Sequence, residues 1–441
     1  MSISPADVIV DTNRNPALAG LASELVEARS LPDSPTSAAA VRASSPTLAQ
    51  LWLPAVVLHA EELRHNLDLF AQWCDQAGLD LAPHGKTTMA PQLWWSQLER
   101  GAWGITAATA AQARIMQRYG VPRVLIANEV VDPAQLAWLA TTLGDDDFTA
   151  MCLVDSAEGL DRMDRALSRA PRPLPVLVEL GVPGRRTGVR DVGEALELAR
   201  RIAHTPHLQL AGVAGYEGVF PQRRDTDAPL QARAWLDRLG AFLQRADAAG
   251  LFAETGETGE TGEVIITAGG SAYPDLVADA FATLPQLSVP IRRILRSGCY
   301  VTHDDLFLER SSPLRAAAAS DPLRPALSCY ARVLSHPEPG RALIGAGKRE
   351  VSFDIDLPVP RAIHRDGQRI PVHNRFRVVE LNDHHGFLDI AAPEEGGEAV
   401  PQVGDVIELG LSHPCTVFDK WSLIPVLNAE HRVVDAVRTR F

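Results

Sequence analysis

Eight short apolar runs, each separated from the next by a longer segment, lie between residues 79 and 298. They are LDLAP (79–83), WGIT (103–106), RVLIA (123–127), FTAMCLV (148–154), LPVLVEL (174–180), LQLAGVAGY (208–216), EVIITAG (263–269) and IRRILRSG (291–298). Several of the intervening segments have helical periodicity. Ala108, Ala111, Ile115 and Tyr119 share one face, and Val192, Ala195, Leu196, Ala199 and Ile202 share another, behind an Asp191/Glu194 pair that resembles a capping box. Strands alternating with helices form βα units, and eight such units close a parallel barrel. An open doubly wound sheet is the structural alternative, because the count alone does not prove closure.

The texture changes after about residue 320. ALSCYARVLS, RALIGAG, REVSFDIDL, FRVVELND, GFLDIA, DVIELGL and RVVDAV are strand-like runs between turn residues, with no helix-length segments among them. Residues 1 to about 50 are rich in Ala, Ser and Pro and read as a linker or mobile arm. The expected division is an arm over 1–53, a barrel over 54–315 and a C-terminal β-domain over 316–441. The expected fold class is α/β, a (β/α)8 TIM barrel with a C-terminal β-domain. The tandem ETGETGETGE (254–263) is polar and Gly-rich and reads as a surface-loop expansion.

Charge narrows the partners. A net charge of −13 argues against nucleic acid and anionic membrane surfaces, but not against a small anion in a local pocket. The five cysteines (Cys74, Cys152, Cys299, Cys329 and Cys415) are few, odd in number and scattered, which argues against a disulfide framework and for a reducing, cytoplasmic setting. No apolar run is long enough to span a bilayer, and the N-terminus lacks the pattern of a signal peptide.

Active sites of such barrels lie at the carboxyl ends of the strands. The residues there are His84 and Lys86 after the first strand, Asn128 and Glu129 after the third, and Arg185 and Arg186 after the fifth. Tyr216 ends the sixth; AGGSAY follows the seventh and SGCY the eighth. Gly269, Gly270 and Ser271 precede Pro274, which suits the first turn of a helix, and free amides at a helix start can bind phosphate. Gly298 lets a second backbone segment approach closely. The plain alternative is that these glycines only turn the chain. A phosphate site beside a rim lysine suggests pyridoxal phosphate, whose aldehyde condenses with an amine. Arg186 could hold the cofactor's phenolate oxygen and Tyr216 could pack on the ring; the alternatives are a surface ion pair and a core aromatic.

A second cluster is SHPCTVFDKW (412–421). His413 and Cys415 lie two apart, so on an extended segment both side chains face one way, and imidazole with thiolate is a zinc-type ligand pair. The alternative is a chance pair of buried residues. His384 and His385 are either further ligands or solvated turn residues.

Together PHGKT (83–87), AWGIT (102–106), VDSAE (154–158), RTGV (186–189), GYEG (215–218), TAGGS (267–271), SGCY (297–300), HHG (384–386) and SHPC (412–415) carry a resemblance. The chain resembles the D-threonine aldolase and D-serine dehydratase family, within the alanine-racemase-like fold type III pyridoxal phosphate enzymes, on the side of the bacterial amino acid deaminases. The resemblance implies that Lys86 carries pyridoxal phosphate and that the glycine-rich loops, with Cys299 and Tyr300 in SGCY, bind it beside His84, Arg186 and Tyr216. It implies that His413 and Cys415 bind Zn2+ or another divalent metal. Cys at the second metal position favours dehydration of D-serine, or of a related β-hydroxy D-amino acid, to a 2-keto acid and ammonia. Retro-aldol cleavage of D-threonine-like substrates is the rival activity. A non-catalytic pyridoxal phosphate carrier is the rival of another class, disfavoured by the β-domain and the His-x-Cys pair. By analogy the chain forms a homodimer acting on a small amino-acid substrate.

Overall fold

The computed structural model describes residues 9–10, 12, 15–252, 262–315, 318–372, 375–391 and 400–441. Most of the ETG repeat therefore lies outside the described residues. All eight expected strands are present in a single parallel sheet: β2 (Asp80–Leu81), β3 (Ile105–Ala107), β4 (Arg123–Glu129), β5 (Thr149–Val154), β6 (Leu174–Leu180), β7 (Leu208–Gly215), β8 (Val264–Ala268) and β9 (Ile291–Leu295), with β1 (Ala55–His59) outside it. Neighbours follow chain order from β3 to β9, and β2 pairs with β9. The ring closes between β2 and β3. The amides of Trp103 and Thr106 donate to the carbonyls of Leu81 (2.8 Å) and Pro83 (2.9 Å), and His84 forms a parallel bridge with Thr106. The fold is thus the (β/α)8 barrel and not the open sheet.

Side chains alternate across each strand, so one set fills the barrel and the other meets the helices. Ala82, Leu125, Leu153, Leu177, Ala214, Ile265 and Ile294 form the interior cluster. Val124, Ile126, Val176 and Val178 point the other way, into the main core with Ala113, Met116, Ala195, Ala199 and Ile202 from the surrounding helices. The helix over Val192–Ala203 starts where read: the Asp191 side chain accepts from the Gly193 and Glu194 amides at 2.7 and 3.2 Å.

The second unit is an antiparallel sheet system built from β10 (Leu327–Glu338), β11 (Arg341–Ile344), β12 (Val359–Arg365), β13 (Gln368–Pro371), β14 (Phe376–Leu381), β15 (Gly386–Ile390), β16 (Val406–Gly410), β17 (Leu423–Leu427) and β18 (Val433–Arg438). Three features correct the sequence reading. Strand β1, counted with the barrel from residue 54, pairs antiparallel with β10 and parallel with β17. REVSFDIDL is a loop, because its carboxylates are drawn into hydrogen bonds with neighbouring segments: Glu350 accepts from the Gly347 amide and Asp354 from Thr416. The arm is packed, not free. Ala28, Leu31, Ala38, Val41 and Leu51 form a cluster with Val57 of β1, Tyr330 of β10 and Leu423, Leu427 and Val433 of the sheet. Replacing Leu31, 5% exposed in that cluster, by alanine is expected to lower stability by about 2–4 kcal/mol, read as a fall in the midpoint of thermal denaturation. An arm that merely linked domains would give no change.

Asp305, in the segment after the eighth barrel strand, ties the two units. Its carboxylate accepts from the Leu411 amide at 2.9 Å and is ion-paired with Arg361 of β12, while its own amide donates to the Leu411 carbonyl at 3.0 Å. This joint holds the segment after β16, which carries His413 and Cys415, over the barrel mouth.

Candidate active site

The carboxyl ends of the strands open on a cavity of about 410 Å³, a size that suits a small molecule or cofactor. Lys86 reaches it from the 3-10 turn Gly85–Thr87, directly after β2. Glycine is required before the lysine: a Cβ at Gly85 would meet the side chains of Met116, Ile105 and Trp94 at 2.6–2.9 Å. His84, on the other side, is half-buried in the cavity wall. Burial and the neighbouring charges of Lys86 and Arg296 hold its imidazole well below the usual range, so the ring is neutral, and its Nδ1 has no partner among the described residues.

Of the residues expected to hold the cofactor and the metal, all but Tyr300 line this cavity; Asn128, Glu129 and Arg185, also expected at the strand ends, do not. Arg186 lies with its guanidinium carbon 5.4 Å from the centre of the Tyr216 ring, within cation–π range. Burial pushes the Tyr216 hydroxyl up to about 12. Tyr300 points away from the cavity, stacked at 4.2 Å on Phe70 with its hydroxyl accepting from Gln97 at 3.1 Å. Its large apolar ring fills the space under the helix Ala60–Gln76. His384 is also outside, 67% exposed at its side chain and hydrogen-bonded to Glu350 at 2.9 Å.

The glycine loop works differently from its expected role. The Gly269 and Gly270 amides both donate, at 2.8 Å, to the carboxylate of Glu217, which is fully buried. Gly269 has φ +109°, and a Cβ at Gly270 would stand 2.8 Å from the Tyr216 ring, so the two glycines shape the loop around Glu217 and Tyr216. Among the described residues no acceptor meets the amides of Ser271 and Gly298. Gly298 is forced by close approach, since a Cβ there would lie 2.5 Å from the His84 carbonyl oxygen. Glu217→Gln puts an amide N–H₂ against one of these two N–H donors. It is expected to cost about 1–3 kcal/mol and to weaken cofactor retention, measured by thermal denaturation and by equilibrium dialysis of the cofactor.

Arg296, Glu217, Thr87 and Asp354 were not singled out from the sequence. Arg296 and Glu217 lie in RSGCY and GYEG beside quoted residues, and Thr87 ends the PHGKT stretch; their burial is the signal the sequence lacks. Arg296 is 4% exposed, donates to the Gly215 carbonyl and has an Nη1 without a partner among the described residues. Glu179 also lines the cavity, and its Oε2 has no partner among the described residues. Burial and then Glu179 push the neighbouring Glu129 carboxyl up to about 8.

The imidazole–thiol pair forms the cavity's other wall. His413 adopts φ +49°, and its Nδ1 meets the Asp354 carboxylate at 2.5 Å, which leaves Nε2 free and fixes the ring. Cys415 Sγ stands 3.4 Å from Cys299 Sγ and 3.4 Å from Thr87 Oγ1. The contact with Cys415 lowers the Cys299 thiol, while the same contact and burial raise Cys415. No cluster of three or more His, Cys, Asp or Glu side chains able to hold a metal occurs among the described residues. An ion here would have two protein donors, of zinc type, and open positions. For pyridoxal phosphate the fit is fuller: an amine, two unfilled amides, a buried arginine with an unpartnered nitrogen and an aromatic face surround one cavity.

Two family models match, in chain order. The alanine racemase N-terminal domain covers residues 58–264 and the "Putative serine dehydratase domain" covers 326–427. The D-threonine aldolase of Arthrobacter is 27% identical over 373 residues, spanning 84% of this chain and 88% of that protein. The 3-hydroxy-D-aspartate aldolase of Paracoccus denitrificans is 23% identical over 377 residues, with the same shares. The fold matches the crystal structure of D-threonine aldolase from Filomicrobium marinum (TM-score 0.70, 24% identity, 90% of this chain and 96% of that one). It also matches D-threo-3-hydroxyaspartate dehydratase from Delftia (TM-score 0.69, 23% identity, 89% and 99%). The chain is thus similar, over both of its domains, to the alanine-racemase-like, fold type III pyridoxal phosphate proteins. Its sequence relatives include a D-threonine aldolase and 3-hydroxy-D-aspartate aldolases, which are enzymes. No helix among the described residues is long and apolar enough to cross a membrane.

Proposed function

We propose that the protein is a pyridoxal phosphate-dependent lyase that converts D-serine, or a related β-hydroxy D-amino acid, to a 2-keto acid and ammonia, with Zn2+ or another divalent metal held by His413 and Cys415. One observation carries the reading: a lysine from the barrel and an imidazole–thiol pair from the β-domain meet in one cavity. When bound, the cofactor supplies an aldehyde and a sink for charge at Cα, and the metal supplies a Lewis acid for a β-hydroxyl. Lys86 Nζ would hold the cofactor at its aldehyde and would move a proton at the substrate Cα. Ser271 and Gly298 offer amides to the phosphate, Arg186 offers a permanent charge to the phenolate, and Tyr216 offers its ring. Asp354 orients His413, so that Nε2 and the Cys415 sulfur serve as the ligand pair. A cysteine-to-alanine variant of a D-threo-3-hydroxyaspartate dehydratase has been crystallised in a metal-free form, which supports a metal in that relative. The reading includes a homodimer, in keeping with the exposed apolar side chains Phe353 and Ile355 near the site; sedimentation velocity tests it.

The relatives that are aldolases support a second reading, cleavage between Cα and Cβ by the same residues. Incubation with D-serine, D-threonine and D-threo-3-hydroxyaspartate, with and without a chelator, separates the readings. Pyruvate and ammonia from D-serine support dehydration. Glycine and acetaldehyde from D-threonine, with D-serine untouched, replace it by the aldolase reading. No product from any substrate by the cofactor-loaded protein leaves the carrier.

A further inference from the structure

We infer that Cys299 and Cys415 form a disulfide when a peroxide enters the cavity, so that oxidation takes one of the two metal-ligand candidates out of service. The consequence for activity rests on the proposed role of Cys415; the bond itself does not.

The geometry is specific to this pair. The sulfurs are 3.4 Å apart although the residues are 116 positions apart in the chain. A disulfide needs an S–S separation of about 2.05 Å, so the gap to close is about 1.4 Å. Cys299 opens a 3-10 turn and Cys415 opens a four-residue helix, so neither is locked inside a long element. Both line the cavity and are partly exposed, which gives a small oxidant a route to them. Cys74, Cys152 and Cys329 are buried, and burial pushes their thiols up, Cys74 and Cys152 to about 12. The three are therefore poorly reactive.

The chemistry balances with peroxide as the oxidant. One thiolate attacks a peroxide oxygen; the S–O bond forms, the O–O bond breaks and hydroxide leaves, giving a sulfenic acid. The second thiolate attacks that sulfur; the S–S bond forms, the S–O bond breaks and the departing hydroxide takes a proton to become water. The two thiols lose two electrons, and hydrogen peroxide is reduced to two waters. The product joins the loop after β9 to the segment after β16, across the domain joint. A reductant such as dithiothreitol reverses it.

The test treats the full-length, cofactor-loaded protein with hydrogen peroxide, then denatures it, alkylates free thiols and maps the peptides by mass spectrometry. The expected result is a fall from five free thiols to three, with Cys74, Cys152 and Cys329 alkylated and the Cys299 and Cys415 peptides joined. Dithiothreitol separates the peptides and restores five thiols. In Cys299→Ser no joined peptide forms, and peroxide carries Cys415 to sulfinic acid that dithiothreitol does not reverse. Five alkylated thiols after treatment, or oxidation of the two cysteines singly without joined peptides, overturns the proposal. Since the assay reads a covalent bond and needs no turnover, failure of the disulfide and failure of the lyase reading are separate outcomes.

Discussion

Replacing Lys86 by alanine is expected to give a folded protein that no longer holds its cofactor covalently and whose activity falls by at least about a thousandfold, or ~4 kcal/mol of transition-state stabilisation. Lys86 sits in a three-residue turn whose neighbours Gly85 and Thr87 are buried, while its own amine reaches the cavity. Truncation therefore removes reactivity without opening a hole in the core. Visible absorbance and a cofactor-release assay read the loss of the linkage, and circular dichroism checks the fold. Lys86→Arg should do no better, because guanidinium stays protonated and does not condense with an aldehyde. A truncated protein that kept its colour and turnover would remove Lys86 from the chemistry.

His413→Ala and Cys415→Ala are expected to act on a different step. Each should retain the cofactor's visible absorbance and lose elimination by about a hundredfold or more, with bound zinc falling below stoichiometry. The barrel carries the residues proposed to hold the cofactor, and the β-domain carries this pair. His413 is fixed by Asp354 and the loop by Ser352, whose hydroxyl donates to the Ser412 carbonyl. The chelator should reproduce the effect in the unaltered protein, and added zinc should restore that protein but not the variants. Unchanged turnover in metal-stripped protein contradicts the metal role. Loss of colour along with turnover shows that these residues serve the cofactor site instead.

The barrel was legible because each of its strands is bounded by turn residues, and its helices keep a helical period. Closure was not, because it rests on a few backbone bonds between β2 and β3, which no pattern announces. Strand β1 has an apolar run like the others, yet Leu58 pairs with Leu327 and Val426, far along the chain. Alternation misled at REVSFDIDL, where Glu350 and Asp354 serve as hydrogen-bond acceptors in a loop. The hairpin of β12 and β13 went unread although its signal was present: Asp366 and Gly367 have φ +50° and +77°, the residue types that a tight hairpin turn prefers. At the site, residue types at strand ends pointed to Lys86, Arg186 and Tyr216. Glu217 and Arg296 could not be weighed, because their importance comes from burial opposite partners in other loops.

The most direct measurement is borohydride reduction of the purified, pyridoxal phosphate-loaded protein followed by peptide mapping. The account predicts a phosphopyridoxyl group on a single lysine, in the peptide carrying PHGKT, at position 86. A reduced protein with Lys86 unmodified, or with the label on Lys348 or Lys420 instead, would contradict it.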